Sequence, residues 1–338
     1  MHLSKKAVEA AGYKEYPDTD VIEVSFNIIR VYSLQGIVFE NGCEDKRSEV
    51  ITFLDRCTVA IAQSINEASK LLTGKVFVNN EGKWLSEKKI NPPFLLIYFK
   101  ESAPRELKGG YRHEIDGDIH TYDAFPEGNR EIREWEDEVL PGIVTSLMIT
   151  LSTLNRKVKL VPIDYSIFGI TKDGSTLFNS KFTFSATGYT SSQISIERIN
   201  ASLSDSTRLL PALTKGACRH FYAALNEPDR MKKFLGYFQF IERYTQSTYK
   251  TLNSNDAKGV SNTSQHINEL VELKSLAQRF DWCADIAWDN IEKSDVNSFL
   301  EAKKVRDRLS HGEHVEESKL PVEKIKELAL KILSTKKT

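Results

Sequence analysis

Apolar positions along the chain change their period near residue 190. Before that point, short runs rich in β-branched and aromatic residues alternate with helical repeats. After it, apolar residues recur at helical spacing. Residues 21–39, rich in Val, Ile, Phe and Tyr, predict one or two strands. Over residues 50–72, Val50, Phe53, Leu54, Cys57, Ile61, Ile65, Ala68 and Leu72 fall at helical intervals and Gly74 follows as a stop, so this span predicts an amphipathic helix. Residues 75–78 and 83–85, joined through Asn79, Asn80, Glu81 and Gly82, predict a hairpin. Residues 94–99, after Pro92 and Pro93, predict a buried strand. Residues 129–155 predict a helix with a bend or break at Pro141 and Gly142. Residues 158–170 and 177–186 predict strands around a turn at Asp173 and Gly174. Residues 1–191 therefore read as an α+β domain.

From residue 192 the expectation is an all-helical bundle running to residue 338. Residues 192–225 predict helix in two pieces around Pro211. Residues 229–252 predict a long helix, with Asp229 as N-cap and Phe234, Tyr237, Phe238, Ile241 and Tyr244 along one face. Residues 253–264 form a polar linker of Asn, Ser, Thr and Gly. Residues 264–291 predict a third helix, packing through Ile267, Leu270, Val271, Ala277, Phe280, Ala284 and Trp288. A fourth starts at Ser294, capped by Ser or Asp, and closes at Gly312. Residues 321–333 give a short last helix.

Composition narrows the function classes only modestly. With 40% hydrophobic and 28% charged residues in a 338-residue chain, the sequence describes an ordinary folded protein with room for two cores. A formal charge of −1 supplies no global attraction to nucleic acid, so any such contact needs a local basic patch. Cys43, Cys57, Cys218 and Cys283 are far apart and form no CxxC pair, which predicts buried thiols in a reducing cytosol. No apolar signal core opens the chain, and the longest apolar stretch, residues 143–154, is too short to cross a bilayer. A cytoplasmic protein without membrane contact is expected.

Candidate chemistry is concentrated at the end of the fourth predicted helix, in Arg306-Asp307-Arg308-Leu309-Ser310-His311-Gly312. Arg306 is a permanent forked cation, and His311 can give or take a proton near neutral pH. At ~100° per residue the two stand roughly 140° apart around the helix, whereas Asp307 and His311 share a face and predict a carboxylate holding the imidazole. The unpaired carbonyls of a helix end favour a cation at His311. Lys303, Lys304 and Arg308 make the same turns basic, as contact with RNA phosphates requires. RNA carries its own nucleophile, the ribose 2′-OH. In-line attack on phosphorus needs a base, a cationic clamp and an acid for the leaving 5′-oxygen. His311 can serve as base or acid and Arg306 as clamp, and a two-fold dimer would bring a second pair to the same cleft. Read alone, the same residues also make an ordinary helix terminus, with glycine at C′ and basic residues matched to the dipole.

In these residues the sequence resembles the HEPN superfamily, and most closely its branch of abortive-infection and MauJ-type proteins. The family signature is Arg, four to six residues, then His, often with a polar residue directly after the Arg. Arg306 and His311 fit it with four residues between, Asp307 in the polar slot and Gly312 following. Residues 233–242 resemble the family's "F-L-x-x-Y-x-x-L-E" helix, with Ile241 in place of the usual Leu and Phe240 as a bulky departure. The resemblance covers residues 192–338. It implies a HEPN-like helical bundle that dimerises around the motif helix, and a metal-independent endoribonuclease with Arg306 and His311 as catalytic residues and no cofactor. It places Glu242 in the same cleft. A toxin or anti-phage defence role follows from the resemblance alone. Inactive and nucleotide-binding members keep a non-catalytic protein of this fold, binding a nucleotide, RNA or protein partner, as the alternative. Residues 1–191 resemble no family, and a regulatory ligand or protein there is expected only from the architecture.

Other clusters read more plainly. His113, Glu114, Asp116, Asp118 and His120 have ligand chemistry, but Asp116-Gly117 predicts a hairpin turn with the two histidines as partners across the strands. His311 and His314 lack the grammar of a metal site. Glu131, Glu134, Glu136, Asp137 and Glu138, with Arg133, predict a solvated helix face. Tyr237, Phe238, Phe240 and Tyr244 could stack on bases but sit at core spacing. No phosphate loop, dinucleotide fingerprint or nucleophile elbow is present.

Overall fold

A computed structural model describes residues 20–40, 46–101, 103–109, 111–116, 119–172, 176–182, 192–256 and 275–335. The chain divides into two compact units, Met1–Leu140 with Thr150–Thr207, and Pro141–Ile149 with Arg208–Thr338. In chain order the elements are β1 (Val21–Gln35), β2 (Ile37–Phe39), β3 (Ile51–Phe53), β4 (Cys57–Ala62), α1 (Ile65–Thr73), α2 (Glu81–Lys88), β5 (Phe94–Lys100), β6 (Arg105–Lys108), β7 (Tyr111–Asp116), β8 (Ile119–Ala124), α3 (Pro126–Leu154), β9 (Lys159–Thr171), β10 (Thr176–Phe182), β11 (Ser192–Ile194) and α4 (Ile196–Leu209). After a 3-10 turn at Leu210–Ala212 come α5 (Lys215–Asn226), α6 (Arg230–Asp256), α7 (Leu276–Ile286), α8 (Lys293–Ser310) and α9 (Val322–Ser334). The architecture is thus an antiparallel sheet region followed by a helical region.

The first unit is built on β1, which pairs antiparallel with β9 on one side and β5 on the other. The seven-stranded sheet runs β10-β9-β1-β5-β4-β3, with β6 paired to the start of β1. Alternate residues of β1 bury on both faces, which is why its apolar run is nearly continuous. On one face Ile29, Val31, Phe94, Leu96 and Tyr98 pack with Ile65 and Ala68 of α1 and with Trp84 and Leu85 of α2. On the other, Phe99 meets Trp135 of α3 edge-on at 5.5 Å.

Two predicted elements are overturned here. Residues 50–72 form β3, a turn, β4 and α1, not one helix. Leu54 and Asp55 turn the chain with positive φ, and the Cys57–Ala62 strand is held between two antiparallel neighbours. The helix starts only at Ser64, whose Oγ accepts from Glu67 N at 3.1 Å. The predicted hairpin at 75–85 is α2 instead. Asn80 caps it by accepting from Lys83 N, and Glu81 reaches back to accept from Ile65 N at 2.6 Å and Ser64 Oγ at 2.7 Å. The supposed turn residues therefore cap two helices at once.

Smaller corrections follow the same logic. α3 runs unbroken through Pro141. One missing N–H interrupts a single helical bond, and the flanking Leu140, Ile143, Val144 and Leu147 are all buried. Within it, Glu127–Leu154 is long and apolar enough to span a bilayer, but 61% of its most apolar window is buried, as in a core helix. Residues 192–194 are a short strand, parallel to β2, and the helix starts at Ile196. In β7–β8 the hairpin is present, but His113 pairs with Tyr122 and His120 with Ile115, so the two histidines are diagonal positions and not partners. Its turn at Gly117 and Asp118 lies outside the described residues, as does the Asp173-Gly174 turn. Glu136 departs from its acidic, solvated run: it is buried and takes two hydrogen bonds from Arg30, with Nη2 at 3.0 Å.

The second unit packs helices around α6, whose Phe234, Tyr237, Phe238, Phe240 and Ile241 are all buried. Asp229 caps α6, accepting from Lys232 N at 2.7 Å. The helix continues to Asp256, into the predicted linker. Residues 257–274, with Ile267, Leu270 and Val271, lie outside the described residues, and so does Cys43. Phe280 and Phe299 stack at 3.9 Å between centroids, and Phe299 stacks on Phe238 at 5.6 Å. These rings join α6, α7 and α8. Cys57, Cys218 and Cys283 are buried free thiols, and burial pushes Cys218 up to about 11 and Cys283 to about 12.

Candidate functional site

α8 starts one residue before the expected Ser294. Asp295 accepts from Glu292 N at 2.9 Å, so the cap is formed by Glu292 and Asp295. Its buried positions, Phe299 and Ala302, set the side that faces the core and leave the last turns near the surface. The helix ends in a Schellman arrangement. Glu313 N donates to Arg308 O at 3.0 Å and Gly312 N to Leu309 O at 3.1 Å. Gly312 has φ of 79°, which only glycine adopts without strain, and His311 stands at the C-cap.

Arg306 is anchored. Its guanidinium carbon lies 4.9 Å from the centroid of Phe238, so it caps the ring column Phe280–Phe299–Phe238. Nη1 is 3.0 Å from Asp307 Oδ1, and Nη2 is 3.7 Å from Glu242 Oε1 on α6. About a quarter of the side chain remains exposed, while Nε is buried with no hydrogen-bond partner. An unsatisfied buried donor costs roughly 1–3 kcal/mol, so this geometry is imposed by packing and not chosen by the arginine's own bonds.

The expected Asp307–His311 pair does not form. Asp307 Oδ2 takes Lys303 Nζ at 2.6 Å and Oδ1 faces Arg306, so both carboxylate oxygens serve cations one turn back or adjacent. Only the backbone connects the two residues, through His311 N to Asp307 O at 3.0 Å. The imidazole of His311 is exposed. The basic patch is also reduced: Lys303 is paired with Asp307, and Arg308 donates to Glu313 Oε2 at 2.7 Å, leaving Lys304 as an exposed cation. The structure thus brings Arg306, Asp307, Lys303 and Glu242 together in one ion-pair group, while the exposed His311 side chain makes no hydrogen bond or ion pair with it. His314 is exposed as well. Among the described residues, no group of three or more His, Cys, Asp or Glu is placed to hold a metal ion.

A second constellation escaped the sequence reading. A groove of about 570 Å³ lies between the start of α5, the outer half of α6 and the turn after α7. In it Arg243 Nη1 meets His220 Nε2 at 2.5 Å, bringing an imidazole and a guanidinium together across two helices. Partial burial, and then the charge of Arg243, hold His220 below its ordinary value. Buried Phe240 and Trp288 line the same groove with half-buried Tyr244. A lone histidine on an amphipathic helix carries no spacing signal. Only the α5–α6 packing makes the pair.

Comparison with known proteins found no matching family model, no similar curated protein and no similar solved structure.

Proposed function

We propose that the chain is a cytoplasmic, metal-independent endoribonuclease of the HEPN type, acting as a homodimer, with residues 192–338 as its HEPN-like bundle. The carrying observation is the seating of Arg306 on Phe238, on the same helix whose exposed C-cap is His311. A clamp for a phosphorane must be rigid before substrate arrives, because reorganisation at the moment of reaction is what preorganised charge avoids. The aromatic column supplies that rigidity.

In this reading, His311 removes the 2′-OH proton, O2′ bonds to phosphorus, and the P–O5′ bond breaks. The second subunit's imidazole then returns a proton to O5′. Arg306 holds the phosphoryl oxygens, and the RNA phosphate displaces Glu242, the longer of its two ion contacts. Lys304 contributes a phosphate contact. A toxin or anti-phage role, with the sheet-containing unit as regulator, is the biological setting we propose for such an activity.

A second reading has its own observation. Glu242 and Asp307 already compensate Arg306, as they would in a structural ion-pair group of a non-catalytic binding protein. Incubation of the purified full chain with total RNA in chelator separates the two. Products ending in 2′,3′-cyclic phosphate, lost in His311→Ala and in Arg306→Ala with folding retained, support the nuclease. Intact RNA, or cleavage that survives His311→Ala, overturns it.

A further inference from the structure

The groove around Arg243 has a charge balance unlike that of the motif helix. Arg306 and Arg308 each face carboxylates. Arg243 does not: among the described residues no carboxylate lies within ion-pair distance, and its partner is the uncharged acceptor nitrogen of His220. Among the described residues no Asp or Glu lines the groove. A guanidinium held in a recess without a counter-charge attracts an anion, and its fork suits an oxyanion with several acceptor oxygens. Ser247 and Thr248 on α6, both hydroxyl-bearing, line the same recess. Thr214, at the N-cap of α5, also lines it and spends no side-chain bond on capping that helix.

The floor has a different character. Phe240 and Tyr244 lie 5.8 Å apart between centroids and Tyr244 and Trp288 6.3 Å, forming a run of three rings. Phe240 and Trp288 are 1% and 3% exposed, so this floor is fixed by the bundle core. Ala217 and Ala287 keep the walls low. The volume falls within the ~300–1,000 Å³ of small-molecule sites, which characteristically join an apolar surface to a few convergent polar groups.

We propose that this groove binds a small aromatic phosphate ester, with the phosphate on Arg243 and the neighbouring hydroxyls and the ring against Tyr244 and Trp288. The site is separate from the Arg306 group and stands whether or not the chain cleaves RNA.

The test is calorimetric titration of the full chain with phenyl phosphate, with inorganic phosphate and phenol as part-ligands. Phenyl phosphate is expected to bind at one site per chain, with either part-ligand weaker by about tenfold or more. Arg243→Gln should weaken phenyl phosphate by about tenfold or more, since a charge-assisted contact is lost. Gly216→Leu should weaken binding by about tenfold or more while circular dichroism stays unchanged: Gly216 lines the groove, a Cβ there meets nothing within 4 Å, so leucine adds bulk at the groove wall without a clash, and it favours helix. Arg306→Ala should leave binding intact. Absence of binding at millimolar phenyl phosphate overturns the proposal. So does affinity matched by inorganic phosphate, affinity untouched by Gly216→Leu, or affinity lost in Arg306→Ala.

Discussion

Glu242 of α6 and Arg306 of α8 face each other across the helix pair, with Oε1 3.7 Å from Nη2. That is ion-pair range but too long for a good hydrogen bond. Both side chains are about a quarter to a third exposed, so solvent screens the attraction and it contributes at most about 1 kcal/mol. Glu242→Gln is therefore expected to change stability by less than about 1 kcal/mol in urea denaturation. If the chain cleaves RNA as proposed, the effect of this substitution on RNA should be larger. With one of the two counter-charges removed, Arg306 accepts a phosphate more readily, so KM for an RNA oligonucleotide falls severalfold with kcat little changed. A rise in KM would show that Glu242 positions the guanidinium and does not compete with the substrate.

Phe238 is the support beneath Arg306, stacked in turn on Phe299. Phe238→Leu keeps the site apolar and shortens the column by one ring. Hydrophobic replacements of this kind cost about 1–2 kcal/mol when neighbours relax. Removing the flat face leaves the guanidinium free to turn toward Glu242. On the proposed nuclease reading, cleavage is expected to drop well beyond what the stability loss explains, with the pH profile unchanged because no titrating group has been touched. Wild-type turnover in a folded Phe238→Leu protein would remove the column from the catalytic account.

How far residues alone could carry this picture depends on where each side chain finds its partner. The helix 229–252 and the closing turn at Gly312 were legible because their signals are local: Asp229 caps its own helix, and Gly312 supplies the positive φ that ends its own. The helix predicted over residues 50–72 failed because its apolar positions satisfy two periods at once. Strand pairing of β4 with β3 and β5, which no local pattern records, decided between them. At the site, the expectation that Glu242 lies near Arg306 comes from the family resemblance, and the two do stand 3.7 Å apart. The partner of Asp307 was not legible, since Lys303 and His311 are both four residues away from it and only the fold shows that the lysine takes the carboxylate. His220 and Arg243 had no signal at all, being joined only by helix packing.

The sign of the His220 titration follows from its surroundings. Partial burial and, across the groove, the charge of Arg243 both disfavour the imidazolium, so its folded pKa lies below the ordinary 6.5. In the window between the two values the unfolded chain binds more protons. The contribution to stability is therefore complete above about pH 6.5 and is lost as pH falls through the folded pKa. Arg243→Gln removes one of the two causes. The His220 resonance, followed by NMR between pH 4 and 8 (about the range in which histidines titrate), should then titrate at a higher pH than in the wild type. An unchanged midpoint would mean that the 2.5 Å contact is absent in solution.

In the sheet-containing unit, Arg30 of β1 and Glu136 of α3 form an ion pair with the carboxylate 1% exposed and the guanidinium 24%. Both nitrogens Nε and Nη2 donate to it, and the guanidinium carbon lies 4.4 Å from the Tyr165 ring centroid. Burial raises the Glu136 carboxyl above its ordinary range, and the hydrogen bond and charge of Arg30 pull it back. The pair is thus sustained by its geometry against a desolvation cost. Removing Glu136 takes from Arg30 the carboxylate that receives two of its donors. Glu136→Ala is expected to destabilise by about 3–5 kcal/mol, whereas replacing both, as Arg30→Met with Glu136→Leu, should recover most of that loss because neither charge then remains inside. Urea denaturation of the three variants decides the matter. If the double variant were no more stable than Glu136→Ala, the pair would have to carry net favourable energy of its own, and β1 and α3 would be joined by charge more than by the apolar contacts around it.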